Sequence, residues 1–145
     1  MRLWHKDLIP LLPTMQLKWQ WRECCLIAKG LHDGNLNHIL VNRVKDYPIE
    51  HFIAYTEFLR AEMLKRGFKC NGKCFTKHFN PLFNIWNTFF ISPNDIFPDW
   101  HNDRYLRQCL YNLEEKAMAG GVPFDEWQKI YNAYGKQFDL WSGNE

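Results

Sequence analysis

Apolar residues recur along most of the chain with the period of about 3.6 residues that marks an amphipathic helix, and four windows carry it cleanly. The first predicts a helix from about Met15 to Lys29. Leu17, Trp21, Cys24 and Ala28 fall at i, i+4, i+7 and i+11 and form its core stripe. Thr14 stands in the capping position after Pro13, and Gly30 follows as a terminator. Gln16, Gln20, Glu23 and Ile27 make a second stripe, which puts Glu23 beside two amides on a mostly polar face. The second window predicts a helix over about Pro48 to Arg66, with Pro48 in its first turn and Gly67 as its carboxyl-terminal cap. Phe52, Tyr55, Leu59 and Met63 face inward there, and Glu62 with Arg66 makes an i,i+4 ion pair of small worth. A third helix is expected from about His101 to Met118, burying Leu106, Leu110, Leu113 and Ala117 and ending at Gly120-Gly121. A fourth starts near Pro123 and buries Trp127, Ile130, Tyr131, Tyr134 and Phe138.

Between the second and third windows, Asn80 to Asn94 (NPLFNIWNTFFISPN) carries no formal charge and is broken by Pro81, Pro93 and several Asn. It reads as an aromatic-rich loop with short turns laid over the core. Strand signals are weak throughout, and no internal repeat or low-complexity stretch appears. The expected class is all-α: one compact helical domain with long loops spanning residues 1–145.

Composition changes this picture little. Hydrophobic residues make up 46% of the chain, enough for a core without staples. The aromatic share of 17%, with seven Trp, serves either a core or the stacking of bases, and composition does not separate the two. No apolar run reaches the roughly 20 residues of a membrane span, and Met1 to Asp7 lacks the apolar stretch of a secretion signal. Five cysteines, an odd number with Cys24 and Cys25 adjacent, make a poor disulfide framework and point to a reducing cytoplasm.

Charge is more informative in its distribution than in its sum of +2. Residues 1–30 hold Arg2, Lys6, Lys18, Arg22 and Lys29 against Asp7 and Glu23. Residues 60–78 hold Arg60, Lys65, Arg66, Lys69, Lys73 and Lys77 against Glu62 alone, whereas nine carboxylates face five cations in residues 95–145. Brought together by the fold, the two basic segments would form a phosphate-binding face; kept apart, they are solvated helix surfaces, the commoner case.

Most catalytic and metal-binding patterns are absent. Cys70, Cys74 and His78 have spacing that could hold zinc, but no fourth ligand follows at a familiar interval, and burial of free cysteines is the simpler account. Cys24 and Cys25 sit mid-helix on or near the core stripe, where inert packing is favoured over a thiolate nucleophile. There is no Gly-rich phosphate loop, HExxH or nucleophile elbow. No metal and no organic cofactor is expected. What remains is Glu23, next to Arg22 and flanked by Gln16 and Gln20, a grouping that by itself reads as helix surface.

Three segments give that grouping a different meaning. MRLWHKDLIPLLPTMQLKWQWRECC at the start, EFLRAEMLKRGF from Glu57 to Phe68, and WQKIYNAYGK from Trp127 to Lys136 resemble, in order, segments of the pyrimidine-dimer DNA glycosylase family. Arg2-Leu3 and Trp21-Arg22-Glu23 match the family's amino-terminal and first-helix features. The whole chain is similar to a bacterial branch whose members open with Met-Arg-Leu-Trp and carry Trp-Arg-Glu-Cys-Cys. The resemblance implies a compact helical fold, damaged double-stranded DNA as partner, a monomer, and two linked reactions. A terminal α-amine attacks C1′ and displaces the damaged base, and the resulting imine permits strand cleavage by β-elimination. Met1 would be the nucleophile and Glu23 the essential acid/base. Arg2 and Arg22 would hold phosphates, with His5, Lys6, Gln16, Lys65 and Arg66 as further DNA contacts. The family's phage member exposes a threonine amine where this chain has Met1. Its arginine three residues after the glutamate is Leu26 here, and its upstream histidine corresponds to Gln16 or Met15. These departures argue against a thymine dimer more than against a DNA-facing role.

The chemistry is sound on independent grounds. An α-amine with a reference pKa of about 7.7–8.0 is partly neutral near neutrality, whereas a lysine near 10.4 needs strong desolvation. A carboxylate beside the imine stabilises developing positive charge and carries protons. Two other readings compete: a binding protein that kept the fold without the chemistry, and an enzyme for a small nucleoside-like substrate. The latter requires a deep closed pocket at Glu23 in place of an open basic groove.

Overall fold

The computed structural model describes residues 1–70, 73, 77, 79 and 91–143. Four α-helices dominate it: α1 (Thr14–Asp33), α2 (Ile49–Lys65), α3 (Asp103–Met118) and α4 (Phe124–Phe138). Short 3-10 helices at Lys6–Leu11, Asn42–Asp46 and Pro93–Asp95 connect them. The described residues contain no strand, so the all-α class is the one observed. α1 packs on α2 and α3 on α4, and the Lys6–Leu11 turn lies against α2, α4 and the Pro93–Asp95 turn.

Three of the four helices begin and end near where the pattern puts them. α2 starts after Pro48; Gly67 at φ +83° closes it, with Phe68 N donating to Met63 O at 3.0 Å. Asn102 caps α3 by accepting from Tyr105 N at 2.9 Å, and Leu106, Leu110, Leu113 and Ala117 are buried as expected, joined by Cys109. In α4, Trp127, Ile130 and Phe138 are buried and Tyr131 and Tyr134 partly so.

α1 departs from expectation at both ends. Thr14 is its first residue, not its cap; its N–H and hydroxyl donate to the Glu126 carboxylate at 3.1 and 2.6 Å, so α4 supplies the cap from across the fold. Gly30 does not terminate it. The helix runs one turn further, to Gly34 at φ +72°. Gly30 serves packing instead, since a Cβ there would lie 3.2 Å from the Leu36 side chain.

The second stripe of α1 is also not a polar face. Gln16, Gln20 and Ile27 are buried, and residues 1–5 run past the two amides as an irregular arm, bonded to Gln20 and sharing a cleft with Gln16. Burial of an irregular segment obliges its peptide groups to find partners, and side chains from three helices supply them. Gln20 of α1 accepts from Trp4 N at 2.7 Å and donates to Arg2 O at 2.8 Å. Tyr55 of α2 has its hydroxyl 2.7 Å from Trp4 O and 2.9 Å from Gln20 Oε1. Tyr105 of α3 donates to Leu3 O at 2.6 Å. Leu3 is fully buried beneath these bonds.

Beyond the arm the chain is pinned by cations turned inward. Lys6 is buried, and its Nζ donates to Asn94 O and Ile96 O at 2.7 and 2.8 Å. Arg66, at the end of α2, donates to Glu62, Leu12 O and Pro10 O, closing the carboxyl end of the Lys6–Leu11 turn. Beside Lys6 the His5 and His101 rings stack with centroids 5.1 Å apart. Lys6 N donates to His101 Nδ1 and Asp7 N to His5 Nδ1, so both rings are neutral acceptors at Nδ1. Burial pushes both imidazoles below the ordinary histidine value. For His101, well below it, the neighbouring His5, Lys6 and Arg43 act in the same direction.

Cys25 is disulfide-bonded, against the expectation drawn from the odd cysteine count, whereas Cys24, Cys70 and Cys109 are free. Burial raises the Cys24 thiol well above its usual range, which suits inert packing. Cys74 and His78 of the zinc spacing, and positions 80–90 of the aromatic stretch, lie outside the described residues; Pro93–Asp95 forms a 3-10 turn. Among the described residues no helix is long and apolar enough to cross a membrane.

Two predictions follow from the arm and the imidazoles. Gln20→Ala should lower the unfolding free energy by about 2–4 kcal/mol in urea titrations, since it orphans buried donors and leaves a void; Tyr105→Phe should cost about 1 kcal/mol. An unchanged midpoint for Gln20→Ala would mean that the amide does not hold the arm. Below about pH 6.5 the unfolded chain takes up protons that the folded imidazoles refuse, so stability present at neutrality is lost as pH falls. The Tm should drop between about pH 7 and pH 5, and less steeply in His101→Asn, which keeps an acceptor for Lys6 N. Equal slopes would locate the acid sensitivity elsewhere.

Candidate functional site

The arm ends at an open cleft of about 300 Å³. Met1, Arg2 and Trp4 enter it from the arm, Gln16, Trp19 and Glu23 from α1, Leu40 from the following loop, and Asn112 and Lys116 from α3. Helical spacing explains the α1 contribution: Gln16, Trp19 and Glu23 stand at i, i+3 and i+7, one face of the helix. Exposed Met1, Trp19, Leu40 and Lys116 border the cleft, so it is a surface groove and not the closed pocket a small nucleoside would need.

Glu23 is half-buried in this cleft and held by Gln20, whose Nε2 donates to Glu23 Oε2 at 3.0 Å. The amide that ties down the arm therefore also fixes the carboxylate. Burial raises the Glu23 carboxyl above its usual range. The amino terminus, a hydrogen bond from the Arg2 backbone and the charges of His38 and Arg2 pull it back down. The terminal amine is the largest of these opposing influences, which places the two groups within effective electrostatic reach. A carboxyl balanced this way is suited to both accepting and returning a proton. Gln16, also in the cleft, keeps its Oε1 buried with no hydrogen-bond partner among the described residues.

The other residues singled out from the sequence are dispersed. Arg2 lines the cleft, with its guanidinium 5.3 Å from the Trp4 ring centroid. Arg22 is exposed but faces a different groove, of about 470 Å³, lined in part by Lys18, Met63, Phe68 and Lys69. There Lys18 Nζ lies 4.5 Å from the Phe68 ring centroid. That groove joins cations of both basic segments, Lys18 and Arg22 from one and Lys69 from the other. His5, Lys6 and Arg66 are not brought to either groove: they are engaged internally as described above, with only Arg66 partly exposed. Lys65 is exposed at the end of α2 and lines neither.

Sequence reasoning gave no role to Gln20, Trp19, Leu40, Asn112 or Lys116. The spacing of Trp19 and Glu23 at i,i+4 was a usable signal for one of them; the α3 and loop residues are adjacent only through tertiary packing.

Comparison with known proteins bears on the family of the chain. A family model described as pyrimidine dimer DNA glycosylase matches residues 1–76, which include the arm, α1 and α2. No curated protein and no solved structure matches the chain. With that match covering more than half of its 145 residues, the chain belongs to the pyrimidine dimer DNA glycosylase family, a family of DNA repair enzymes.

Proposed function

We propose that this protein is a DNA glycosylase with abasic-site lyase activity, working on damaged pyrimidines in double-stranded DNA through an imine on Met1. The observation that carries this reading is the pairing of the Met1 amine with a half-buried, amide-held Glu23 in one open cleft. The neutral amine attacks C1′ of the damaged nucleotide. The bond from C1′ to the base nitrogen breaks, and the base departs with the electron pair. Loss of the amine's proton and opening of the sugar ring give the C1′ imine. Glu23 takes and returns protons and stabilises the cationic imine. Removal of a C2′ proton then expels the 3′ phosphate by β-elimination.

Arg2 beside the amine, and Lys18, Arg22 and Lys69 in the neighbouring groove, supply cations for the phosphates on either side of α1. The bulk of the Met1 side chain, and Leu26 in place of an arginine, fit a lesion other than the thymine dimer.

Two measurements test the reading. Borohydride should trap a covalent adduct with a duplex bearing one abasic site, and mass spectrometry should place it on the Met1 amine. A short extension of the amino terminus should remove the adduct while binding persists, and an adduct unaffected by that block would exclude the amine. Glu23→Gln should lower turnover by about 10²–10⁴-fold with the fold intact, and should remove an acidic limb lying above the pH of an ordinary carboxylate, about 4.3. Unchanged turnover would strip Glu23 of the role.

A further inference from the structure

The loop after α1 turns two of its aliphatic side chains outward, the wrong way round for a globular protein. Ile39 is 87% exposed and Leu40 48% exposed, while the next residue, Val41, is completely buried. A single exposed aliphatic residue is ordinary, and carries nothing alone. These two sit at the tip of a tightly built turn. Val41 N and Asn42 N both donate to His38 O, at 3.0 and 2.9 Å, and His38 N donates to Asn42 Oδ1 at 2.9 Å. Val41 anchors the turn in the core, and Lys45 Nζ ties its base to Leu36 O at 2.7 Å. The turn holds its apolar tip out in water, with no partner among the described residues covering it.

The place of that tip is what gives it meaning. Leu40 lines the cleft of Met1 and Glu23, and with Ile39 it also lines a second cleft of about 360 Å³ on the other side. The tip is thus a ridge between two grooves. Arg2 and Lys116 stand in the first groove, and Arg43 and Arg104 in the second. An apolar ridge with cations on both flanks does not complement an apolar protein surface, which would have to bury those charges. It complements duplex DNA, whose phosphates lie outside and whose apolar base faces become accessible when a base pair unstacks.

We infer that Ile39 and Leu40 form a wedge that enters the base stack of duplex DNA beside the damaged nucleotide and holds the helix open toward Met1. The wedge rests on the glycosylase reading above. The rigid turn matters because a flexible one would spend binding free energy on its own ordering. Residues inserted in this way unstack and kink a duplex, and the phosphates brought closer are the natural partners of the flanking arginines.

Single-stranded DNA has no stack to open, and this separates a wedge from a general binding or catalytic role. Borohydride trapping should be compared on one abasic oligonucleotide, single-stranded and in duplex, for the parent protein, Ile39→Ser and Ile39→Leu, which leave the residues of the Met1 cleft untouched. The Ser variant is expected to lose about tenfold or more in trapping rate on the duplex and little on the single strand, and the Leu variant to match the parent on both. A 2-aminopurine placed next to a tetrahydrofuran abasic analogue should brighten when the parent binds and stay quenched with the Ser variant. Equal duplex rates and equal brightening for parent and Ser variant would overturn the wedge and leave the glycosylase reading standing. Equal losses on both strands would also overturn it, by assigning the tip to the chemistry or to the fold. Absence of any adduct with the parent would refute the glycosylase reading and the wedge with it.

Discussion

An irregular arm buried against helices faces a cost that helices and strands do not: its peptide groups have no ladder to join. In this protein that cost is met by long polar side chains, and Gln20 is the one on which the others converge. Its carboxamide has one acceptor and two donor hydrogens, and all are in use, on Trp4 N, Arg2 O and the Glu23 carboxylate. Hydrogen bonds of this kind contribute only about 1 kcal/mol each, but leaving a buried donor unpaired costs up to about 3. The arm is therefore held less by the strength of any bond than by the absence of an alternative. Because one amide serves both the arm and Glu23, the arm and the carboxylate are registered to each other through a single side chain of α1.

That arrangement also governs the electrostatics. A carboxylate withdrawn from water binds its proton more tightly, and a nearby cation loosens it again. At Glu23 two of the opposing charges, the terminal amine and Arg2, belong to the arm that helps to bury it, and the third is His38 of the following loop. Were the arm to leave, part of the desolvation and the amine's charge would be lost together.

Much of the fold was legible because helix period and turn residues act locally. Gly67 ends its helix by its own backbone freedom, and α2 and α3 lie where the pattern puts them. Most failures trace to contacts that the local pattern does not contain. Thr14 has the composition of a cap yet is itself capped by Glu126, and Gly30 sits mid-helix with Leu36 folded back against it, leaving Gly34 to end the helix. Gln16 and Gln20 read as surface because amides usually are, yet both are interior. At the site, Glu23 was recoverable from a motif. Asn112 and Lys116 arrive from α3 and Leu40 from a loop, placements that no local rule dictates.

The same distinction explains why a net charge of +2 is a poor guide to this molecule. Counting treats every cation alike, but the fold sorts them. Lys6 and Arg66 are used internally, donating to carbonyl groups that would otherwise be left without partners, and they contribute little field outside. Lys18, Arg22 and Lys69 remain around one groove, Arg2 and Lys116 around the next, and Arg43 and Arg104 around a third. Solvent ions screen fields over about 8 Å at physiological ionic strength. A phosphate in one of these grooves therefore responds to the two or three cations beside it, and hardly to carboxylates on remote faces. The sum of formal charges therefore says less about any one groove than the cations and carboxylates that line it, Glu23 among them in the cleft of Arg2 and Lys116.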